Sequence, residues 1–389
     1  MSGAAVRPRA VVIDVDGLDR LIAALVADGR TVVGPTVRDG AIVCAPLTSS
    51  ADLPRGLGDE QDAGHYRLRE RDDDAFFGFS TTAASWKRWL FPARQLLWRA
   101  TRGGDGPTLE PDEGPPPRLA LLGVRGCDLA ALGSLDSVLA GDGDRRPAQD
   151  PHYVARREAT LVVAVACASP GGTCFCASRG TGPVPGDGAD VVLAELAAGT
   201  PQHRFLATAG SSAGRALLTA AGLDGHEADE ADLAVAQAQA KRATAAMGRT
   251  LASEGLAAAL VAGADDPHWD DVGSRCLACT GCTLVCPTCF CTSVDDATPL
   301  GGEVWERWRT WDSCFTASFS YVHGGPVRES TGSRYRQWAT HKLSTWERQF
   351  GTTGCVGCGR CITWCPVGID ITVEASAVQA RARREEPVP

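Results

Sequence analysis

Residues 276–287 read CLACTGCTLVCP and residues 355–366 read CVGCGRCITWCP. Both are C-x2-C-x2-C-x3-C-P runs, the cysteine spacing of bacterial-type ferredoxins. Three cysteines at intervals of three wrap one turn of backbone around three corners of an iron–sulfur cubane. The fourth, held before proline, points away and ligates the other cluster. The spacing therefore assigns Cys276, Cys279, Cys282 and Cys365 to one [4Fe–4S] cluster, and Cys355, Cys358, Cys361 and Cys286 to a second. Zinc modules usually pair two C-x2-C knuckles; a third cysteine at the same interval followed by C-P, found twice, argues against them.

A chain of 389 residues is too long for one small ferredoxin, so the cluster module is only part of it. Upstream, apolar runs alternate with amphipathic stretches, the pattern of an α/β domain. Leu18, Leu21, Ile22, Leu25 and Val26 follow helical spacing, with Asp16 placed as N-cap and Gly29 as the stop. Segments 31–46, 118–124 and 160–167 read as strands, Asp128 as the cap of a following helix, and the Gly/Pro-rich stretches 102–117 and 169–188 as loops. The expected organisation is an α/β domain over 1–225, an Ala-rich helical linker over 226–265, and a helical ferredoxin-like domain with the two clusters over 266–389. Within the insert between the motifs, Val304, Trp308 and Trp311 are placed on one helix face, and 334–349 is a second helix.

Sixteen cysteines without a secretion signal point to metal ligation rather than a disulfide scaffold, because cytosolic thiols stay reduced. A formal charge of -9 gives no attraction to nucleic acid or to an anionic membrane surface. No segment has the uninterrupted apolar length of a membrane span, so the expected location is the cytoplasm.

Four upstream cysteines form a weaker pattern: Cys127, Cys167, Cys174 and Cys176. Cys127 follows a strand at a helix N-terminus, where the dipole favours a thiolate. Cys167 closes another strand, and the C-x-C pair follows in a Gly-rich loop. Strand ends of an α/β sheet face a common crevice, which would bring the four together around a third [4Fe–4S] cluster. The competing reading is four small buried residues, cysteine being among the most buried types. Cys289, Cys291 and Cys314 are read as structural or as neighbours of ligands, and Arg334, Arg336, His341 and Lys342 as positive charge beside anionic clusters or as a solvated helix face.

GVRGCDLAAL (123–132), TCFCASRGTGP (173–183), CLACTGCTLVCPTCFCTSVDD (276–296), WDSCF (311–315), RYRQWATHKL (334–343) and the second cluster motif together resemble one iron–sulfur subunit family. Its members are the dicluster iron–sulfur subunit of anaerobic sulfite reductase and the beta subunit of cytoplasmic sulfhydrogenase-type [NiFe] hydrogenases. The resemblance implies electron relay between an NAD(P)H-binding flavoprotein subunit and a catalytic partner, a [NiFe] hydrogenase first and a sulfite reductase as the alternative. One departure is Gly126, where the family pattern has proline. Arg275, Cys276 and Cys279 match half of a [NiFe] active-site motif, but the chain has no second half. It also has no P-loop, no strand-coupled G-x-G-x-x-G and no H-E-x-x-H, so catalysis is expected in other subunits. A self-contained thiol or disulfide reductase is the alternative of a different class.

Overall fold

The computed structural model describes residues 10–104, 106–111, 114–141 and 149–385. Its longer strands in chain order are β1 (Ala10–Asp14), β2 (Thr31–Arg38), β3 (Ala41–Pro46), β4 (Leu57–Asp62), β5 (His65–Glu70), β6 (Arg94–Gly103), β7 (Gly106–Pro111), β8 (Leu119–Val124), β9 (Leu161–Val165), β10 (Val191–Leu196), β11 (Arg204–Ala209), β12 (Thr292–Ala297) and β13 (Val304–Trp311). Seven of them form one sheet in the order β1-β11-β10-β9-β8-β2-β3. Its centre, β10-β9-β8-β2, is parallel, and its outer pairs are antiparallel. β8 (LALLGV) is buried at every position, as a strand covered on both faces requires.

The helix Val15–Ala27 covers one face with Leu18, Leu21, Ile22 and Leu25, all fully buried. Its cap is Asp14, whose carboxylate accepts from the Gly17 amide at 2.7 Å, and Asp16 falls in the first turn instead. The cap of the helix Gly126–Leu139 is likewise displaced, to Arg125. This frees Asp128 to meet a buried arginine from the far end of the chain.

The helix placed over Val304–Trp311 is a strand. β13 pairs antiparallel with β12 on one side and with β6 on the other, giving the sheet β12-β13-β6-β7. Its aromatic, alternating sequence VWERWRTW suits a half-buried pleated surface better than a helix. Part of the stretch 102–117 is also strand, because β6 and β7 form a hairpin. Arg94 lies over the Trp308 ring at 3.9 Å, and Arg307 faces Trp98 at 5.1 Å, so cation–π pairs lace this sheet. The cysteine-rich region is thus tied by backbone hydrogen bonds to a strand far upstream in the chain.

The remaining C-terminal structure is mostly helical. The stretch 334–349 lies in a continuous helical segment, Thr331–Thr340, His341–Thr345 in π-helical form, then Trp346–Phe350. The Ala-rich stretch forms two main helices, Glu230–Ala245 and Leu256–Ala262. Trp269, Phe315, Tyr335, Trp338, Ile362 and Val378 build a core against which Cys276, Cys282, Cys289, Cys314, Cys355, Cys361 and Cys365 pack.

Candidate metal centres

The first motif begins where the helix His268–Arg275 ends at Cys276, and passes through Ala278 and Thr280 at φ of +50° and +65°. Left-handed backbone at two non-glycine residues is costly, about 1–3 kcal/mol each, and marks a loop shaped for something other than its own packing. The loop turns Cys276, Cys279 and Cys282 into one cavity. Cys361 and Cys365 of the second motif line the same cavity, with Phe315, Tyr335, Trp338 and Ile369 as an apolar wall. Burial pushes the thiols of Cys276 and Cys282 up, while Cys279 stands exposed at the rim.

The second group is deeper. Burial pushes the Cys361 thiol well above the usual range, and the charges of Cys355, Cys358 and Cys286 add to the effect. Burial raises Cys358 to about 12. Cys286 joins this group from the first motif because Thr288, two residues on, anchors the chain there: its hydroxyl donates at 2.8 Å to the carbonyl of Gly354, the residue before Cys355. Cys289 hydrogen-bonds Cys286, which holds Cys286 well below the usual thiol range and Cys289 well above it.

Two buried lysines face this group. Lys342 is 4% exposed and donates to the Thr288 hydroxyl at 2.8 Å and the Gly354 carbonyl at 3.3 Å. Burial lowers its pKa, but the charges of Cys286, Cys289 and Cys355 outweigh that and carry it well above the ordinary lysine value. Lys87 is 2% exposed, donates to the Cys289 carbonyl at 2.8 Å, and lies 3.8 Å from the Trp311 ring centroid. Sequence reasoning names Lys342 but misses Lys87, whose position beside the cysteines is set only by the tertiary fold.

The four upstream cysteines converge. Cys127, Cys167, Cys174 and Cys176 line one small cavity with Arg125 and Met247. Cys127 stands in the first turn of the helix after β8, and Cys167 follows β9, the parallel neighbour of β8. A hydrogen bond with Cys176, then burial, pushes Cys127 well above the usual thiol range. Arg125 is buried, donates through Nη2 to the carbonyls of Phe77 and Phe79, and leaves Nε and Nη1 without a hydrogen-bond partner among the described residues. A buried guanidinium edge beside four thiols suits an anionic occupant.

This cavity abuts the second group. The Phe175 amide donates to the Gly357 carbonyl at 2.9 Å. A Cβ at Gly357 would sit 2.7 Å from Cys176 Cα, and one at Gly359 would sit 2.5 Å from the Thr173 carbonyl oxygen. Both glycines have positive φ, +66° and +76°, so they let the upstream cysteine loop lie directly on the second motif. The three groups therefore follow one another: upstream cavity, buried central group, and the rimmed cavity at Cys279. Among the described residues, no three His, Cys, Asp or Glu side chains close around one point as ligands of a single ion. No helix among them is long and apolar enough to cross a membrane.

Residues 275–369 match the 4Fe-4S dicluster domain family. The chain is also similar to sulfhydrogenase 2 subunit beta of Pyrococcus furiosus, at 29% identity over 328 residues, which is 82% of this chain and 90% of that protein. Both agree with the motifs: this is an iron–sulfur electron-transfer chain similar to a hydrogenase beta subunit.

Proposed function

We propose that the chain relays electrons through three [4Fe–4S] clusters between an NAD(P)H-linked flavoprotein subunit and a catalytic partner, a [NiFe] hydrogenase. Cys276, Cys279, Cys282 and Cys365 would hold one cluster, Cys355, Cys358, Cys361 and Cys286 a second, and Cys127, Cys167, Cys174 and Cys176 a third. The clusters supply reversible one-electron storage; the protein supplies thiolates, a dry surround and fixed order. The observation that carries the reading is the cavity where three cysteines of the first motif meet Cys365 of the second, with Cys361 at its inner wall toward the second group. Such exchange of the fourth cysteine is what two-cluster ferredoxins require. The orphaned edge of Arg125 supports the third site. The relative's name, a hydrogenase subunit, favours hydrogenase over sulfite reductase as partner.

Anaerobic purification with iron and sulfide analysis, together with EPR of the reduced protein, tests this. About twelve irons per chain are expected, whereas about eight would remove the upstream cluster. Colourless protein holding stoichiometric zinc would overturn the whole reading.

A further inference from the structure

Lys87 and Lys342 are both more than nine-tenths buried, and neither forms an ion pair with a carboxylate among the described residues. Another buried cation nearby behaves differently: Arg360 pairs with Asp128 at 2.8 Å and is neutral as a unit. Burying an ammonium is costly unless an anion compensates it. The two lysines approach from unrelated elements, Lys87 at the start of the short helix Lys87–Leu90 and Lys342 in the π-helical turn His341–Thr345. Both reach the same segment: Lys87 donates to the Cys289 carbonyl, and Lys342 donates to the Thr288 hydroxyl, two residues from Cys286, and to the carbonyl of Gly354, the residue before Cys355.

We propose that Lys87 and Lys342 are positioning residues that set the reduction potential of the central cluster, the one assigned to Cys286, Cys355, Cys358 and Cys361. The inference rests on the cluster reading above. Reduction adds one negative charge to a centre already surrounded by four thiolates. Positive charge on buried ammonium groups in a dry, low-dielectric surround stabilises the reduced form more than the oxidised form. The groups the two lysines donate to, the Cys289 carbonyl, the Thr288 hydroxyl and the Gly354 carbonyl, lie outside the lining of the rim cavity, so the rim cluster serves as the internal control. A buried pair at the middle of a three-member chain makes that member easier to reduce than it would otherwise be, and so a place where the electron rests between partners.

The experiment is potentiometric EPR on the full chain, purified with its iron and without air. The central signal is identified as the one missing in Cys358→Ser, and the rim signal as the one missing in Cys282→Ser. Lys342→Gln and Lys87→Gln should shift the central signal to more negative potential and leave the rim signal in place, while Lys342→Arg keeps the wild-type value. An unmoved central potential at full iron content overturns the proposal alone, as does an equal shift of every signal. If Lys342→Gln loses its central iron, retention by Lys342→Arg still supports a need for charge, and loss in both assigns the lysine to packing. A wild-type chain that binds no iron defeats the cluster reading itself.

Discussion

Arg360 lies between two ligand candidates of the second motif, Cys358 and Cys361, yet its guanidinium reaches the helix that starts the upstream site. It is 0% exposed, with Nη1 2.8 Å from Asp128 Oδ1, Nη2 donating to Oδ2 at 3.2 Å, and Nε donating to the Thr82 carbonyl at 2.8 Å. Arg360→Met strands a buried carboxylate and Asp128→Asn strands a buried guanidinium, each at a cost of about 3–5 kcal/mol. Replacing both partners by apolar residues removes the charge that either single change leaves uncompensated, so with Asp128→Leu as the second single, the double Asp128→Leu with Arg360→Met should cost less than the sum of Asp128→Leu and Arg360→Met by about 2–3 kcal/mol. Anaerobic urea unfolding of the intact chain, followed by tryptophan fluorescence, reads all four corners of the cycle. Effects that add to within about 0.5 kcal/mol would refute the pair as the tie between the two halves.

Cys282→Ser and Cys358→Ser should each remove about four irons per chain, since a hydroxyl is a poor substitute for thiolate on iron, and unchanged iron in both would show the assignment to be wrong. Cys286→Ala should alter the EPR signal that Cys358→Ser abolishes; a change confined to the signal lost in Cys282→Ser would mean that the fourth ligands are not exchanged. Cys127→Ser and Cys174→Ser should lower iron by about four while leaving both C-terminal signals intact, and iron content equal to wild type would dispose of the upstream site. In the iron-free chain, burial raises Cys358 from the usual 9.0 to about 12, so the folded form holds its proton over a range where the unfolded form has lost it. That contribution is fully present below pH 9.0 and is lost as pH climbs toward 12, so the urea midpoint should fall across this window. A midpoint independent of pH there would contradict the buried, neutral thiol.

The cysteine spacing is readable because cluster ligation is a local demand on backbone geometry, repeated here in two short runs. The strands at Leu119–Val124 and Leu161–Val165 are readable for a similar reason: a short aliphatic run between turn residues has few alternatives. Val304–Trp311 shows where that logic stops. Trp308 and Trp311 are three apart and fit a helix face, but the same stretch alternates as a strand does, and the partner that decides between them is β6, far upstream. Asp128 carries the same lesson. Its place near a helix start suits a cap, and only the arrival of Arg360 gives the carboxylate its other use.

Gly126 shows how a departure from a family pattern acquires a physical meaning. Proline at the first helical position is ordinarily favoured, because its missing N–H would be unpaired there and its φ suits the helix. Here Gly126 holds that position, and a Cβ on it would lie 2.9 Å from the Val184 carbonyl oxygen and 3.2 Å from Gly182 Cα. The segment carrying Gly182 therefore packs closer to the helix start than a proline ring would permit. Gly182 in turn allows the Cys176 sulfur to come within 2.8 Å of where its own Cβ would be. Two glycines thus draw the C-x-C loop down onto Cys127, so the residue that breaks the pattern serves the convergence of the four thiols. Nothing in the sequence around Gly126 announces this, because the contact it permits is made by a segment much later in the chain.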